Sequence, residues 1–561
     1  MIAIQGRQAA PTQQGRRFDT TEEVDFVVIG SGPAGGSVAR ELTRLGHNVV
    51  LLEQGKQYTR ADFHHDELSV VFNNHYCNTP PAHTQTWRKT SQDKAEPRHG
   101  LLYATAVGGS SMHYAANYWR FRPIDFNEFS QKGGVPGAAM ADWPITYDEL
   151  EPYYTAVEWA IGVSGQGGVD PNEGRRSRQY PMPPVDLTGP GVLLEVAAKK
   201  MGWRALPAPM AIASRPYKGR EACHNCGFCW YFPCEWGAKS GTNFTMVPEA
   251  LASGRCELRT ECKVRLVETD DRGRATGVVY FDRDRREIRQ RARAVFLCAN
   301  GGETPRLLLM SKSNRFPDGL ANSSGMVGKH LMFNGNTGAA GEFEHEVNGY
   351  KGAPVSRIVL DTYELHDKGH YGGGGFDFRY PFPPILSALN MPPDGPQWGS
   401  GFKQAVRTLH THISHCWGHT TQLPVATNQV DLDPEMKDSW GLPSIRVTYR
   451  EHEADLKMYK YMFDRGVELL KAAGARRTWG NPPGDDPGQG VHLLGTCRMG
   501  TDVRTSVVNK SHRAHDVPNL FMVDGSSFVT AGRGQPTLTI QALAFRAADL
   551  ASQMAKRGDL G

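Results

Sequence analysis

The sequence predicts an α/β fold with two parts: a parallel sheet built from βαβ units, and a second, largely antiparallel region with its own helices. Near the N-terminus, two short apolar runs, 24–29 and 49–52, flank a stretch with apolar residues at helical spacing. Residues 330–450 instead alternate short strand-like runs with loops rich in Gly and Pro. At 561 residues, the chain is long enough for two or more domains.

The first βαβ unit carries a nucleotide-binding fingerprint. Gly30, Gly32 and Gly35 fall in G-x-G-x-x-G spacing after the first apolar run, and Glu53 follows the second. In this context the glycines allow a tight turn, close approach of a pyrophosphate and close helix packing. A carboxylate about 20 residues farther on can accept hydrogen bonds from ribose hydroxyls. The motif predicts a dinucleotide site and leaves NAD and FAD open.

Composition narrows the class of protein. The net charge is only +4 and charged residues make up 22%, with no basic stripe, so nucleic acid is not an expected partner. No apolar run approaches the 18 residues that predict a transmembrane helix. Residues 1–20 read as a flexible polar arm without a convincing Sec or Tat signal. This leaves the location open between the cytoplasm and, if the chain is exported with a partner subunit, the periplasm.

Local patterns predict the remaining elements in order. Residues 56–100 read as loop, and Gly108-Gly109 forms a turn suited to a flat ligand. Residues 258–299 read as strands. Helices are predicted at 143–163, where Thr146 and Glu149 form a capping box, and at 190–202, 299–310, 451–473 and 536–556.

A cluster of four cysteines lies between two of these elements. Cys223, Cys226, Cys229 and Cys234 fall in C-x2-C-x2-C-x4-C spacing, which is close to a ferredoxin run but has one more residue before the last cysteine. Four thiolates this close can wrap an iron–sulfur cluster or a zinc ion. The alternative is that free thiols or a disulfide staple a loop.

Four separated stretches together resemble the glucose–methanol–choline (GMC) oxidoreductases. They are VDFVVIGSGPAGGSVARELT, AVGGSSMHYAANYWRF, RATGVVYFD with AVFLCANGGETPRLLLMS, and HLLGTCRMGTD with NLFMVDGSSFVTAGRGQPTLTIQALAFRAADL. The resemblance runs from about residue 24 to residue 552. Within the family, HYAANYWRFRPIDF and the cysteine cluster resemble large subunits of bacterial FAD-dependent sugar dehydrogenases, such as those for glucose, gluconate and fructose.

The resemblance implies FAD as the dinucleotide and a Rossmann-like FAD-binding domain built from discontinuous segments. We expect that domain to comprise residues 21–135, 220–330 and 487–561. A substrate-binding domain, with a six-stranded antiparallel sheet over the flavin, would comprise residues 136–219 and 331–486.

Cofactor contacts follow from the match to the family. Glu53 would hold the adenosine ribose, and Val264 would contact the adenine through its main chain. Gly108, Gly109 and Ser111 would run along the flavin. Asp524 and Gly525 would contact the pyrophosphate and ribityl region. His113 falls where some members carry a histidine bonded covalently to the flavin, and the alternative here is non-covalent packing.

The expected reaction is oxidation of a hydroxyl to a carbonyl, which removes a proton from O–H and a hydride from C–H. The hydride would pass to flavin N5. His492 stands at the family's catalytic histidine, and neutral imidazole is a suitable base. The second catalytic position, His or Asn in the family, is Gln535. Glutamine can hydrogen-bond to an alcohol but cannot serve as a base, so the substrate geometry stays open.

The expected substrate is a small sugar, glycoside, polyol or other alcohol. Electrons would pass to an external acceptor, with a separate cytochrome and a small subunit as partners and an iron–sulfur cluster at the four cysteines. The alternatives are an oxidase that makes hydrogen peroxide and a protein that keeps FAD only structurally; His492 argues against the last. His410, His412, His415 and His419 are close enough in sequence to raise the question of a metal site, and His410 and His412 would share a face of a strand. The favoured interpretation is a substrate-domain strand that lines the active site with polar side chains.

Overall fold

The computed structural model describes residues 15–380 and 383–560, so residues 1–14 of the predicted arm lie outside the described part. A seven-stranded sheet forms the centre of the molecule. Its parallel part has the strand order β6-β2-β1-β9-β17. These strands are β1 (Val24–Ile29), β2 (Val49–Leu52), β6 (Cys256–Arg259), β9 (Glu287–Leu297) and β17 (Leu520–Met522).

The long strand β9 leaves the parallel part and pairs antiparallel with β8 (Ala275–Phe281), which pairs in turn with β7 (Lys263–Thr269). The first helix, α1 (Pro33–Arg44), packs on the parallel part, and its Pro33 start suits a helix N-terminus. The last helix, α10 (Thr537–Arg557), packs against α1 and against α3 (Tyr147–Ile161). Helices from near the start and near the end of the chain therefore pack against each other.

A second sheet is fully antiparallel and six-stranded, as the resemblance implies. Its order is β16-β10-β13-β12-β11-β5. The strands are β5 (Ala205–Pro207), β10 (Gly335–Glu342), β11 (Arg357–Val359), β12 (Gly374–Arg379), β13 (Ile413–Thr420) and β16 (Arg477–Trp479). Helices α4 (Gly189–Lys200) and α9 (Glu453–Ala473) cover this sheet. The predicted α/β fold with an additional antiparallel sheet is confirmed.

A small third sheet corrects one expectation. Residues 56–100 were predicted as loop, but β3 (Gln85–Arg88) pairs parallel with β15 (Pro443–Thr448), and β4 (Glu96–Pro97) pairs with β3. The remaining strand is β14 (Gln429–Lys437), beside β15. The strand β3 has few apolar residues, so its own pattern gives little signal, and its partner β15 lies more than 300 residues farther along the chain.

The predicted helices are present with shifted ends. Thr146 accepts a hydrogen bond from the Glu149 backbone N–H at 3.2 Å, and the Glu149 side chain accepts one from the Thr146 N–H at 2.7 Å, which confirms the capping box. The helices not named above are α2 (Ile124–Lys132), α5 (Met246–Ala252), α6 (Asn300–Met310), α7 (Pro384–Leu389) and α8 (Gly399–Leu409). Among the described residues, no helix is both long and apolar enough to cross a membrane.

A buried ionic contact ties α2 to the segment before α10. The Arg533 guanidinium contacts the carboxylates of Asp125 and Glu128, and all three side chains are at most 2% exposed. Two acids and one cation in a dry interior are costly unless they are paired. The contact therefore fixes the backbone just before Gln535.

Replacing Arg533 with methionine should lower the free energy of unfolding by about 3–5 kcal/mol, because it leaves two buried carboxylates without their cation. Urea unfolding followed by far-UV circular dichroism measures the change. The control is Arg504→Met, which removes a pair with Asp502 from an arginine that is 84% exposed, and should leave the free energy of unfolding nearly unchanged. Equal effects in both variants would contradict the assignment.

Candidate active site

One cavity of about 760 Å³ runs from the fingerprint turn to the six-stranded sheet. Its size is within the range of ligand-binding clefts. It brings together most of the residues predicted from sequence: Gly30, Gly32, Glu53, Gly109, Ser111, His113, Val264, Asp524, Gly525, His492 and Gln535. Gly35 and Gly108 do not line this cavity, and the four clustered cysteines also lie outside it.

The fingerprint glycines have the packing that the motif predicts. Gly30 has φ +94°, a conformation that favours glycine. A Cβ on Gly35 would lie 1.8 Å from the Gly30 carbonyl oxygen, so only glycine lets the helix approach the strand end. A Cβ on Gly109 would lie 2.8 Å from the Cα of Gly32. The two loops thus meet backbone to backbone at the floor of the cavity.

Two buried acids hold the loops that flank this floor. Glu53 accepts hydrogen bonds from the Ser31 N–H at 2.9 Å, the Ser31 hydroxyl at 2.7 Å and the Gly55 N–H at 2.9 Å. Asp524 accepts from the Asn300 N–H at 3.0 Å, the Thr304 hydroxyl at 2.7 Å and the Ser526 N–H at 2.7 Å. Burial raises the pKa of both carboxyls, and these donors oppose that effect.

The turn at 108–113 forms a second wall. Ser111 donates to the Gly108 carbonyl at 2.7 Å, and the Gly108 N–H donates to the Ser31 hydroxyl at 3.1 Å. His113 faces the cavity, with its Nε2 3.8 Å from the Cys77 sulfur. Burial, with a smaller effect of Lys239, lowers the pKa of His113 to about 4. Its ring is therefore neutral at pH 7.

At the far end, the bonds of Asn334 determine which nitrogen of His492 carries the proton. Asn334 Nδ2 donates to the carbonyl oxygen of Ala531 at 2.8 Å, which turns its Oδ1 toward His492 Nδ1 at 3.1 Å. Oδ1 can only accept, so Nδ1 must carry the hydrogen. Nε2 of His492 is then the unprotonated nitrogen. Asn334 adopts φ +61°, which asparagine tolerates better than most residues.

His492 is therefore prepared to accept a proton. Although the ring keeps some exposure toward the cavity, protein surrounds it, and this burial lowers the pKa of His492 to about 4, with a smaller contribution from nearby His419. A neutral imidazole at pH 7 can act as a base at once, without first losing a proton.

Gln535 lines the same cavity as His492, and its Nε2 lies 3.0 Å from Nδ1 of His419. His419 belongs to β13 and is also bonded to Asp377 of β12. Sequence reasoning assigned no role to Asn334 or Asp377 and gave His419 no specific one. The available signal for Asp377 was a charged pair, Asp377 and Arg379, on one face of an otherwise apolar strand.

The four histidines between residues 410 and 419 do not all lie on one strand. His410 and His412 precede β13, so the expectation that they share a strand face was wrong; His410 instead contacts the Tyr380 hydroxyl. Only His415 and His419 lie on the strand. Within the described part of the chain, no group of three or more His, Cys, Asp or Glu side chains is arranged to hold a metal ion.

The same finding applies to the cysteine cluster. Cys223, Cys226, Cys229 and Cys234 line one small pocket with Lys239, but their thiols are free. Lys239 is buried and donates to the carbonyl oxygens of Cys229 at 2.7 Å and Phe232 at 2.6 Å. Burial raises the pKa of Cys229, and Lys239 opposes this. The side chains as placed do not form a metal site.

The large cavity suits a dinucleotide. Its floor is bare backbone at Gly32 and Gly109, which leaves room for a ligand there, and acids stand at both ends of that floor. At Val264 the pairing of β7 with β8 shifts register, which disturbs the ladder beside the cavity. Glu53 and Val264 would hold the adenosine end, Asp524 and Gly525 the pyrophosphate, and Gly109, Ser111 and His113 the flavin.

A βαβ fingerprint, a separate antiparallel sheet and a neutral imidazole on the wall of one cavity together indicate a dinucleotide-dependent oxidoreductase. Models of the GMC oxidoreductase family match residues 24–333 and 424–544. The chain therefore belongs to the GMC oxidoreductases, which use FAD, and the predicted resemblance is confirmed.

Relatives of known activity match almost end to end. A 2-methyl-1,2-propanediol dehydrogenase of Mycolicibacterium austroafricanum is 37% identical over 95% of this chain and 96% of its own. The fructose dehydrogenase large subunit of Gluconobacter japonicus is 28% identical over 96% and 99%. The structure of pyridoxine 4-oxidase from Mesorbium loti aligns with a TM-score of 0.64, covering 94% and 99% at 17% identity, which shows the fold alone.

The low pKa of His492 sets the expected pH dependence of flavin reduction. Because the folded-state pKa, about 4, lies below the ordinary 6.5, the base is neutral above about pH 5, and the rate should fall only below that. Asn334→Asp would put a carboxylate beside Nδ1, stabilise the imidazolium and move the acid limb up by about one to three pH units.

Anaerobic stopped-flow rates of flavin reduction between pH 4 and 9 measure both limbs. Asn322→Asp, away from the cavity, is the control for adding a carboxylate. A wild-type limb centred near pH 6.5 would show that the cavity does not lower this pKa.

Proposed function

We propose that this protein oxidises a hydroxyl group of a polyol, sugar or glycoside to a carbonyl, with His492 as the base. The proposal depends on His492, which lies on the wall of the dinucleotide cavity. Asn334 fixes its tautomer, so that Nε2 carries no hydrogen and can accept a proton. A base there would meet the O–H proton of an alcohol bound above the cofactor.

Each side chain of the site has a separate role in the proposed reaction. When bound, FAD supplies the acceptor for the hydride. His492 takes the hydroxyl proton at Nε2, and Asn334 stabilises the resulting imidazolium through Nδ1–H. Gln535 orients the substrate through its amide.

The substrate class is supported by the relatives. The printed names of the two relatives are those of a diol dehydrogenase and a sugar dehydrogenase, so both act on compounds with more than one hydroxyl. We carry that class over to this chain and give no individual compound.

The electron acceptor is proposed to be external rather than oxygen. The fructose dehydrogenase relative is named as a large subunit, so it works with other chains. We therefore propose a small subunit and a cytochrome as partners of this chain. An oxidase would instead reoxidise its flavin rapidly in air and release hydrogen peroxide.

His492→Ala should slow flavin reduction by about 10²–10⁴-fold, because the alcohol would keep its proton, while FAD stays bound. A panel of polyols, sugars, glycosides and simple alcohols with an artificial electron acceptor first finds a substrate for the wild type. Stopped-flow absorbance then follows flavin reduction, and His515→Ala, on a histidine outside the cavity, is the control. An unchanged rate in His492→Ala would refute the proposed base.

An iron–sulfur cluster at the four cysteines is a separate proposal. It is supported by the spacing of the four cysteines in the sequence and by their shared pocket. Protein purified without air should contain iron and acid-labile sulfide, and Cys229→Ser should lose both, whereas Cys497→Ser, at a distant buried cysteine, should not. Wild-type protein without iron would contradict the cluster and indicate that these cysteines are thiols of a loop.

A further inference from the structure

The helices α7 and α8 lie in a segment, residues 383–409, that leaves the antiparallel sheet after β12 and returns to it before β13. The two ends of this α7–α8 segment meet, because the Tyr380 hydroxyl just before it contacts the His410 ring just after it. Arg379, the last residue of β12, lines the cavity. The segment is therefore an excursion from the sheet, and its base adjoins the cavity wall.

Helix α8 has an apolar stripe that the fold leaves without a core. Phe402, Ala405, Val406 and Leu409 recur at 3- and 4-residue spacing, so they share one face of the helix. A surface helix normally packs such a stripe into the core of its protein. Yet no residue of α8 is buried, and in the part of the chain that the structure describes none of these side chains packs against a hydrophobic core.

The neighbouring apolar side chains are also exposed. Trp398, at the start of α8, is 86% exposed, and Leu389, at the end of α7, is 68% exposed. Ile385 lies one turn before Leu389 and is exposed as well. Glu67 accepts hydrogen bonds from the N–H groups of Ile385 and of the next residue, at 2.8 and 2.6 Å, which brings exposed Leu68 to the same place. With the stripe, these side chains form the apolar surface of the α7–α8 segment.

Cations without an acidic partner lie beside this apolar surface. Lys403 and Arg407 are exposed, one turn apart on α8, and each directly follows a residue of the stripe. Neither makes an ion pair within residues 15–380 and 383–560. Asp394 is the only acid between residues 380 and 430, and Arg477 neutralises it at 2.9 Å. The surface of the segment is therefore apolar and positively charged.

This combination is typical of a helix that lies in a membrane interface. Such helices place Trp, Phe and Leu at the lipid chains and keep Lys and Arg beside them for anionic head groups. The 11 residues of α8 extend only about 16 Å, so the helix cannot cross a hydrocarbon core of about 30 Å and must lie along the surface. A second copy of this chain would bring the same cations, so charge complementarity favours anionic lipid.

We propose that the α7–α8 segment docks this protein on a bilayer that contains anionic lipids. Trp398, Leu389 and the stripe of α8 enter the head-group region, and Lys403 and Arg407 bind lipid phosphates. The inference does not depend on the proposed reaction. It places the cavity close to the lipid surface, because the base of the segment adjoins the cavity wall.

The test is co-sedimentation of the purified holoenzyme with vesicles of phosphatidylcholine, alone or with an equal part of phosphatidylglycerol. The wild type should bind the anionic vesicles, and high salt should weaken the binding because it screens the cations. Lys403→Gln with Arg407→Gln should weaken it about 25-fold, at about fivefold for each cation. Leu389→Ser with Trp398→Ser should weaken it at least about tenfold, because less apolar surface leaves water.

Helix α4 supplies matched controls, because it exposes two valines and two lysines while its other face covers the antiparallel sheet. The double variants Val192→Ser with Val196→Ser, and Lys199→Gln with Lys200→Gln, should bind vesicles as the wild type does.

A fluorescence measurement locates the contact independently of these affinities. Vesicles with brominated lipid chains should quench the tryptophan fluorescence of the wild type. Trp398→Phe, which keeps an aromatic ring at this exposed position, should remove most of that quenching while the protein still binds.

Three results would overturn the inference. The first is a wild type that stays in solution with both kinds of vesicle, and the second is binding that the α7–α8 variants leave unchanged. The third is a wild type that forms a dimer instead of binding vesicles and that Leu389→Ser with Trp398→Ser makes monomeric, which would assign the surface to a second copy of this chain. None of these results bears on the oxidation of a hydroxyl, which the flavin-reduction experiments test separately.

Discussion

The double pairing of β9 is the constraint on which the molecule depends. One edge of its C-terminal half pairs with β1, which leads into the fingerprint, and the other pairs with β17, which leads to Asp524. Segments from the start, middle and end of the chain thereby end at one sheet edge. Because ligands of such sheets bind beyond the carboxyl ends of the strands, this pairing creates the cavity.

The two imidazoles in that cavity have different partners. His492 is opposed by the neutral amide of Asn334, which stabilises an imidazolium less than a carboxylate would. His419 instead lies 2.8 Å from the Asp377 carboxylate, which Arg379 also contacts. Similar side chains thus stand in different electrostatic environments, one beside an amide and the other between charged groups.

The sequence alone predicted those parts of the fold that rest on local patterns. The βαβ unit, the capping box at Thr146 and the long helices follow from spacing within about 30 residues. The strand β3 was missed because its partner β15 is far away and its own pattern is weak. Likewise, Asn334 could not be assigned, because its role depends on a backbone carbonyl nearly 200 residues farther on.

The same limit applies to the site. His492 and Gln535 were recognised by motif position, and whether the amide of Gln535 donates or accepts could not be read from sequence. That depends on His419, which contacts Gln535 from a strand of another sheet and is itself bonded to Asp377. The cysteine spacing suggested a metal, but spacing does not fix where thiols point, and the side chains in the described part of the chain are not arranged around an ion.

The position of β17 also determines when the cofactor can be acquired. Gly35 leaves the ribosome roughly 490 residues before Asp524, an interval of about 25 to 100 s at ordinary rates of synthesis. Until the final strand pairs with β9, the fingerprint has only one side of its pocket. We therefore expect FAD to bind the finished chain rather than a nascent one, because a polypeptide truncated before β17 lacks Asp524 and the wall of the cavity that it forms.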